Sequence, residues 1–112
     1  MKIAIPVTYG QLSAHFGHCE QFALVEVDPA DKKTIATNYA VPPAHEPGVL
    51  PRWLHEQGVE VIIAGGMGQR AQQLFLQSGI KVVVGAKCRP VQETVDDYLN
   101  GTLVSGENLC DH

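Results

Sequence analysis

Apolar residues in this chain fall into short runs separated by turn-formers, and the period of each run predicts an element. Residues 2–7, KIAIPV, are a short apolar run ending at Pro6, which predicts a buried first strand. Residues 21–28, QFALVEVD, mix aromatic and branched side chains and stop at Asp28-Pro29. The turn PADKK follows, and the alternation of residues 34–41, TIATNYAV, predicts a half-buried strand. Together the three segments make an antiparallel meander, with a long loop after the first strand and a tight turn after the second.

The period then changes. Residues 42–48, PPAHEPG, hold three prolines and a glycine, so the backbone there is stiff and extended. In VLPRWLHEQG, Pro51 suits a first helical turn, Leu50, Trp53 and Leu54 share a face, and Gly58 is a stop. VEVIIAGG is a continuous apolar strand of the kind covered on both faces. QRAQQLFLQSG is a helix with Ala71, Leu74, Phe75 and Ser78 on one face. IKVVVG is another buried strand. PVQETVDDYLNG is a helix with Val91, Val95, Tyr98 and Leu99 turned inward. The order β-β-β-α-β-α-β-α predicts an α/β fold: a ribonuclease-H-like mixed sheet of about five strands, three antiparallel and then parallel, flanked by three helices. Ligands gather outside the carboxyl ends of parallel strands in such sheets. The loop after the first strand, the glycine-rich turn at residues 65–68 and the segment after VVVG all open there.

Composition narrows the partners. The 112 residues read as one domain over 1–112, with 45% hydrophobic and 18% charged residues, enough apolar content to bury a core. A net charge of −4 argues against nucleic acid or an anionic membrane as the main partner. The start, MKIAIPV, is too short for a signal peptide or a membrane span, so a cytoplasmic location is expected. Three widely spaced cysteines, Cys19, Cys88 and Cys110, form no C-x-x-C and suggest no disulfide framework.

Candidate chemistry lies in the loops. HFGHC, residues 15–19, offers the imidazoles of His15 and His18 and the thiol of Cys19, ligands that soft and borderline metals accept. The same residues read equally as hydrogen-bonded loop histidines and a small buried cysteine, with Phe16 pinning the loop to the core. In AGGMGQR, Gly65, Gly66 and Gly68 let the backbone approach a ligand, the first amides of the following helix point out, and Arg70 lies in its first turn: an anion site. The plainer alternative is a tight turn that needs glycine for its dihedrals. Gly66 to Ala71 fits G-x-G-x-x-A, but the ribose-binding acid about 20 residues on is missing, and no G-K-[ST] follows. His45 and Glu46 sit in the proline-stiffened loop, where a ligand contact or a helix lead-in both fit. Cys110, Asp111 and His112 end the chain, where they could reach back to a metal or simply fray. No serine has a triad around it, and the first strand carries none of the acids of two-metal nuclease chemistry.

Taken together, HFGHCEQF, PPAHEPGVLPRWL, VIIAGGMGQRA, YLNGTL and GENLCDH resemble the dinitrogenase iron-molybdenum cofactor biosynthesis family. That family includes nitrogenase accessory proteins and the molybdenum-copper orange protein of sulfate reducers. The resemblance spans the chain and implies a carrier or chaperone rather than an enzyme. It implies a metal-sulfur cluster as cargo, Mo-Cu-S or Fe-Mo-S/Fe-S, with cluster-assembly proteins or an ATPase as partners and neither nucleic acid nor membrane. It points to His15, His18 and Cys19, to His45, and to Gly65, Gly66, Met67 and Gly68. A thiometallate is a bulky, soft anion. Helix amides and Arg70 would offset its charge, while Phe16 and Met67 would offer apolar surface to its sulfides. Two other readings stand beside this one: an enzyme using Cys19 as nucleophile next to His15 or His18, and a ligand-free interaction module.

Overall fold

The first apolar run forms the middle of the sheet because side chains on both of its faces are apolar and helices cover both. A computed structural model describes residues 1–13, 19–43 and 48–103. In chain order these give β1 (Lys2–Thr8), β2 (Gln11–Leu12), β3 (Gln21–Asp28), β4 (Lys33–Ala40), α1 (Val49–Glu56), β5 (Val61–Ile63), α2 (Gln69–Gln77), β6 (Lys81–Val83) and α3 (Val91–Asn100). Among the described residues the sheet has six strands in the order β4-β3-β1-β5-β6, with β2 beside β1. β3 is antiparallel to β1 and to β4, while β1, β5 and β6 run parallel. This is the expected mixed α/β sheet with its three helices.

Odd and even positions of β1 feed two different cores. Ile3, Ile5 and Val7 pack with Val25, Ile63, Val91 and Val95 on the α3 side. Ala4 packs with Phe22, Leu54, Ile62, Met67 and Phe75 on the side of α1 and α2. Each large aliphatic side chain taken fully out of water in these clusters contributes on the order of 1.5–3 kcal/mol. Trp53 closes the α1 side by setting its ring edge-on to Phe22, centroids 6.0 Å apart.

Three details depart from the sequence expectation. β1 runs past Pro6 to Thr8. The recorded β1–β5 pairing covers only Ile3 and Ala4, and the Pro6 carbonyl instead accepts the Ser13 amide at 2.8 Å. The long connection after β1 contains the two-residue strand β2, held by Val7 opposite Leu12 and by a bridge from Gln11 to Pro90. β4 is an edge strand whose residues are nearly all exposed, Ile35 and Tyr39 included, so its alternation does not mark a half-buried face. No helix among the described residues is long and apolar enough to cross a membrane.

Candidate functional site

Each right-handed crossover leaves the carboxyl end of one strand and runs back to the amino end of the next parallel strand, so loops and helix starts collect at the carboxyl end. α1 leaves that edge and ends at the far side, where Lys2 Nζ donates to the Gln57 carbonyl at 2.7 Å. α2 starts at Gly68, just past β5. α3 starts at Pro90, which bridges Gln11 next to the end of β1. None of the three helix starts carries a side-chain cap hydrogen bond, and α1 and α2 have no acid in their first turns. Their first amides and the positive ends of three helix dipoles therefore address one edge, offset in α3 by Glu93.

The flanks of the first loop are fixed to this edge. The Ser13 amide donates to Pro6 and the Glu20 amide donates to the Val7 carbonyl at 2.9 Å. Cys19 is half-buried against the core of α1 and α2. Burial pushes its thiol pKa up, opposed by backbone hydrogen bonds from Cys19 and Val7. This direction is opposite to the shift that activates a nucleophilic cysteine. His15, Phe16 and His18 lie in residues 14–18, His45 in 44–47, and Cys110 and His112 in 104–112, all outside the described residues. Among the described residues no group of three or more His, Cys, Asp or Glu side chains is placed to hold a metal ion.

The glycine-rich turn meets the segment after β6. The Ala64 amide donates to Val83, the Gly85 amide to the Gly65 carbonyl at 3.0 Å, and the Ala86 amide to Ala64. Gly65 and Gly66 are buried, whereas Gly68, Gln69 and Arg70 are exposed. None of Gly65, Gly66 and Gly68 has a positive φ; in this pair of segments that conformation falls to Gly85, at +83°. Dihedral need does not explain the turn's glycines. A Cβ at Gly68 would meet nothing within 4 Å, so the helix start is open to an approaching group. Arg70 has no ion-pair partner among the described residues.

Met67 corrects one expectation. Its side chain is 0% exposed, within the cluster that contains Phe22 and Phe75, so it offers no apolar surface to a ligand at the edge. Its backbone carbonyl accepts from Gln72 Nε2 at 2.9 Å, which fixes the turn against the first coil of α2.

Sequence reasoning passed over the stretch 87–89. Lys87, Cys88 and Arg89 are all exposed there, and the Arg89 carbonyl accepts the Leu12 amide. Lys87 and Arg89 line a cavity of about 130 Å³ with Thr94, Asp97 and Thr102, in which Arg89 and Asp97 approach to 3.5 Å. Their position follows from the order of elements, which puts the segment after VVVG on this edge; no spacing pattern in the sequence marks their side chains as a set.

Known proteins share this fold. A profile of the family described as dinitrogenase iron-molybdenum cofactor matches residues 1–101. An uncharacterized protein of Methanocaldococcus jannaschii, MJ0580, is 36% identical over 106 residues, 92% of this chain and 89% of the relative. The crystal structure of PH0822 superposes with a TM-score of 0.88 at 24% identity over 100% of both chains. The apo form of the orange protein from Desulfovibrio gigas superposes with a TM-score of 0.73 at 25% identity, over 96% of this chain and 93% of that one.

Proposed function

This chain belongs to the dinitrogenase iron-molybdenum cofactor family, and from that premise we propose that it is a carrier for an anionic metal-sulfur cluster, of the iron-molybdenum-sulfide or molybdenum-copper-sulfide kind. The observation that carries the reading is the meeting of three helix starts without side-chain caps at the sheet edge that bears Cys19. Each helix start contributes about 0.3–1 kcal/mol toward an anion at an exposed site, and the contributions add where the anion is large enough to face several at once.

The parts divide as follows. The open backbone at Gly68 and the exposed Arg70 face the charge of the cluster. Cys19 supplies sulfur at the edge; a bound metal ion would draw its thiol into the thiolate form, with release of a proton. In this reading His15, His18 and His45 supply imidazole as ligand or hydrogen-bond donor, and Cys110 and His112 are further metal donors. A carrier of this kind takes its cluster from, and passes it to, cluster-assembly proteins, and performs no chemistry of its own on it.

Anaerobic reconstitution tests this directly. Protein treated with tetrathiomolybdate plus copper, or with an iron-sulfur cluster donor, should acquire visible absorption together with metal and sulfide that remain through gel filtration. Protein that stays colourless and metal-free after both treatments overturns the proposal.

A further inference from the structure

β1 carries only one polar group whose burial has no compensation. Thr8 Oγ1 is buried and has no hydrogen-bond partner, alone in this respect among the described residues. A buried hydroxyl without a partner has given up its hydrogen bonds to water for nothing in return, and such atoms call for a specific explanation. Its position supplies one. Thr8 is the last residue of β1 and pairs with Gln11 at the carboxyl edge. Ile3, Ile5 and Val7 face α3, and the alternation of the strand puts Thr8 with Ala4 on the side of α1 and α2. Cys19 is packed on that same side, and the amide of Glu20, which follows it, donates to the carbonyl of Val7, the neighbour of Thr8. The parallel register of Ile3 opposite Val61 and Ala4 opposite Ile62 carries the end of β1 toward the glycine turn.

We propose that the Thr8 hydroxyl is a positioning donor kept for the cargo: enclosed and unpaired in the empty protein, it turns about χ1 on loading and donates to a sulfide or oxo acceptor of the anion bound at this edge. This assignment rests on the carrier reading and adds to it a residue outside the histidine loop and the glycine turn. The apolar alternative at the same position, valine, has nearly the same shape and is equally suited to a strand. Valine would remove the unpaired hydroxyl at no cost in shape, so a threonine here is accounted for by a use in the loaded state.

The experiment compares wild type, Thr8→Val and Thr8→Ser, each unloaded and titrated with tetrathiomolybdate. Unloaded Thr8→Val should melt about 3–6 °C above wild type, because a stranded hydroxyl has been removed. The same variant should bind tetrathiomolybdate about tenfold more weakly, while Thr8→Ser stays close to wild type. A lower melting temperature for unloaded Thr8→Val would show that the hydroxyl is already paired, and overturns the proposal. Equal affinity of wild type and Thr8→Val overturns it as well and leaves the carrier reading standing. A wild type that takes up no tetrathiomolybdate, or any other cluster, removes both together.

Discussion

The amide of Tyr9 donates to Oε1 of Glu20 at 2.8 Å, so the residue that follows Cys19 braces the tip of the β1–β2 hairpin. The brace holds an unfavourable conformation. Tyr9 has φ +54° and Gly10 φ +76°, between Thr8 and Gln11, which face each other across the two strands. Two consecutive positive values in a two-residue connection are the type I′ pattern, which favours Asn-Gly. A tyrosine in the left-handed region costs about 1 kcal/mol, and its ring, 91% exposed, recovers little by burial. We therefore expect Tyr9→Asn to raise unfolding free energy by about 0.5–1 kcal/mol, seen as a rise of roughly 2–4 °C in thermal melting. A fall in melting temperature would mean that the exposed ring makes a contact worth more than the strain.

Burial raises the pKa of Cys19, and the sign of that shift fixes its pH dependence. Below the ordinary thiol value both folded and unfolded chains keep the proton, and the full stability is present. As pH rises through that value, about 8.5, the unfolded chain releases its proton first, and folding stability falls until the raised folded value is passed. Urea unfolding of wild type against Cys19→Ala should show an alkaline decline in wild type that the variant lacks. Alkylation by iodoacetamide offers a second reading, because Cys88 is exposed and Cys19 half-buried. Mass mapping at neutral pH should find Cys88 modified well before Cys19. Equal rates would contradict the desolvated thiol described above.

Much of the fold was legible because periodic runs map onto layers. Ile3 and Ile5 on one side and Ala4 on the other announced a strand covered twice, and the alternation of strands and helices then dictated which loops share an edge. What was not legible depended on neighbours. Gln11–Leu12 is too short to show a period, and it becomes a strand only because Val7 and Pro90 lie beside it. Alternation in β4 could not reveal that no helix covers most of the strand, leaving Ile35 and Tyr39 in solvent. The placement of the candidates Cys19, Gly68 and Arg70 at the carboxyl edge was readable from loop position. The direction of the Met67 side chain was not, because the packing of α2 against Phe22 and Phe75 decides it. Thr8 gave no sign in the sequence, since a threonine closing a strand is ordinary; only the absence of a partner in three dimensions singles it out.

Gly68 is the position at which helix stability and the proposed anion binding can be tested apart. It occupies the position preceding α2 with φ −63° and ψ 155°, an extended conformation open to any residue, and the space around a Cβ there is empty. An aspartate at this position would accept a hydrogen bond from the first turn and sit favourably in the dipole, so Gly68→Asp should stabilise the unloaded protein by about 0.5–1 kcal/mol. The same carboxylate would occupy the amides and repel an anion, lowering affinity for tetrathiomolybdate by about tenfold, a loss near 1.4 kcal/mol. Gly68→Asn caps without charge, so its affinity should fall less than that of the aspartate variant. A protein made both more stable and less able to bind by one exposed substitution would show that the helix start is left uncapped for the anion. If Gly68→Asp instead binds as wild type does, the start of α2 takes no part in holding the anion.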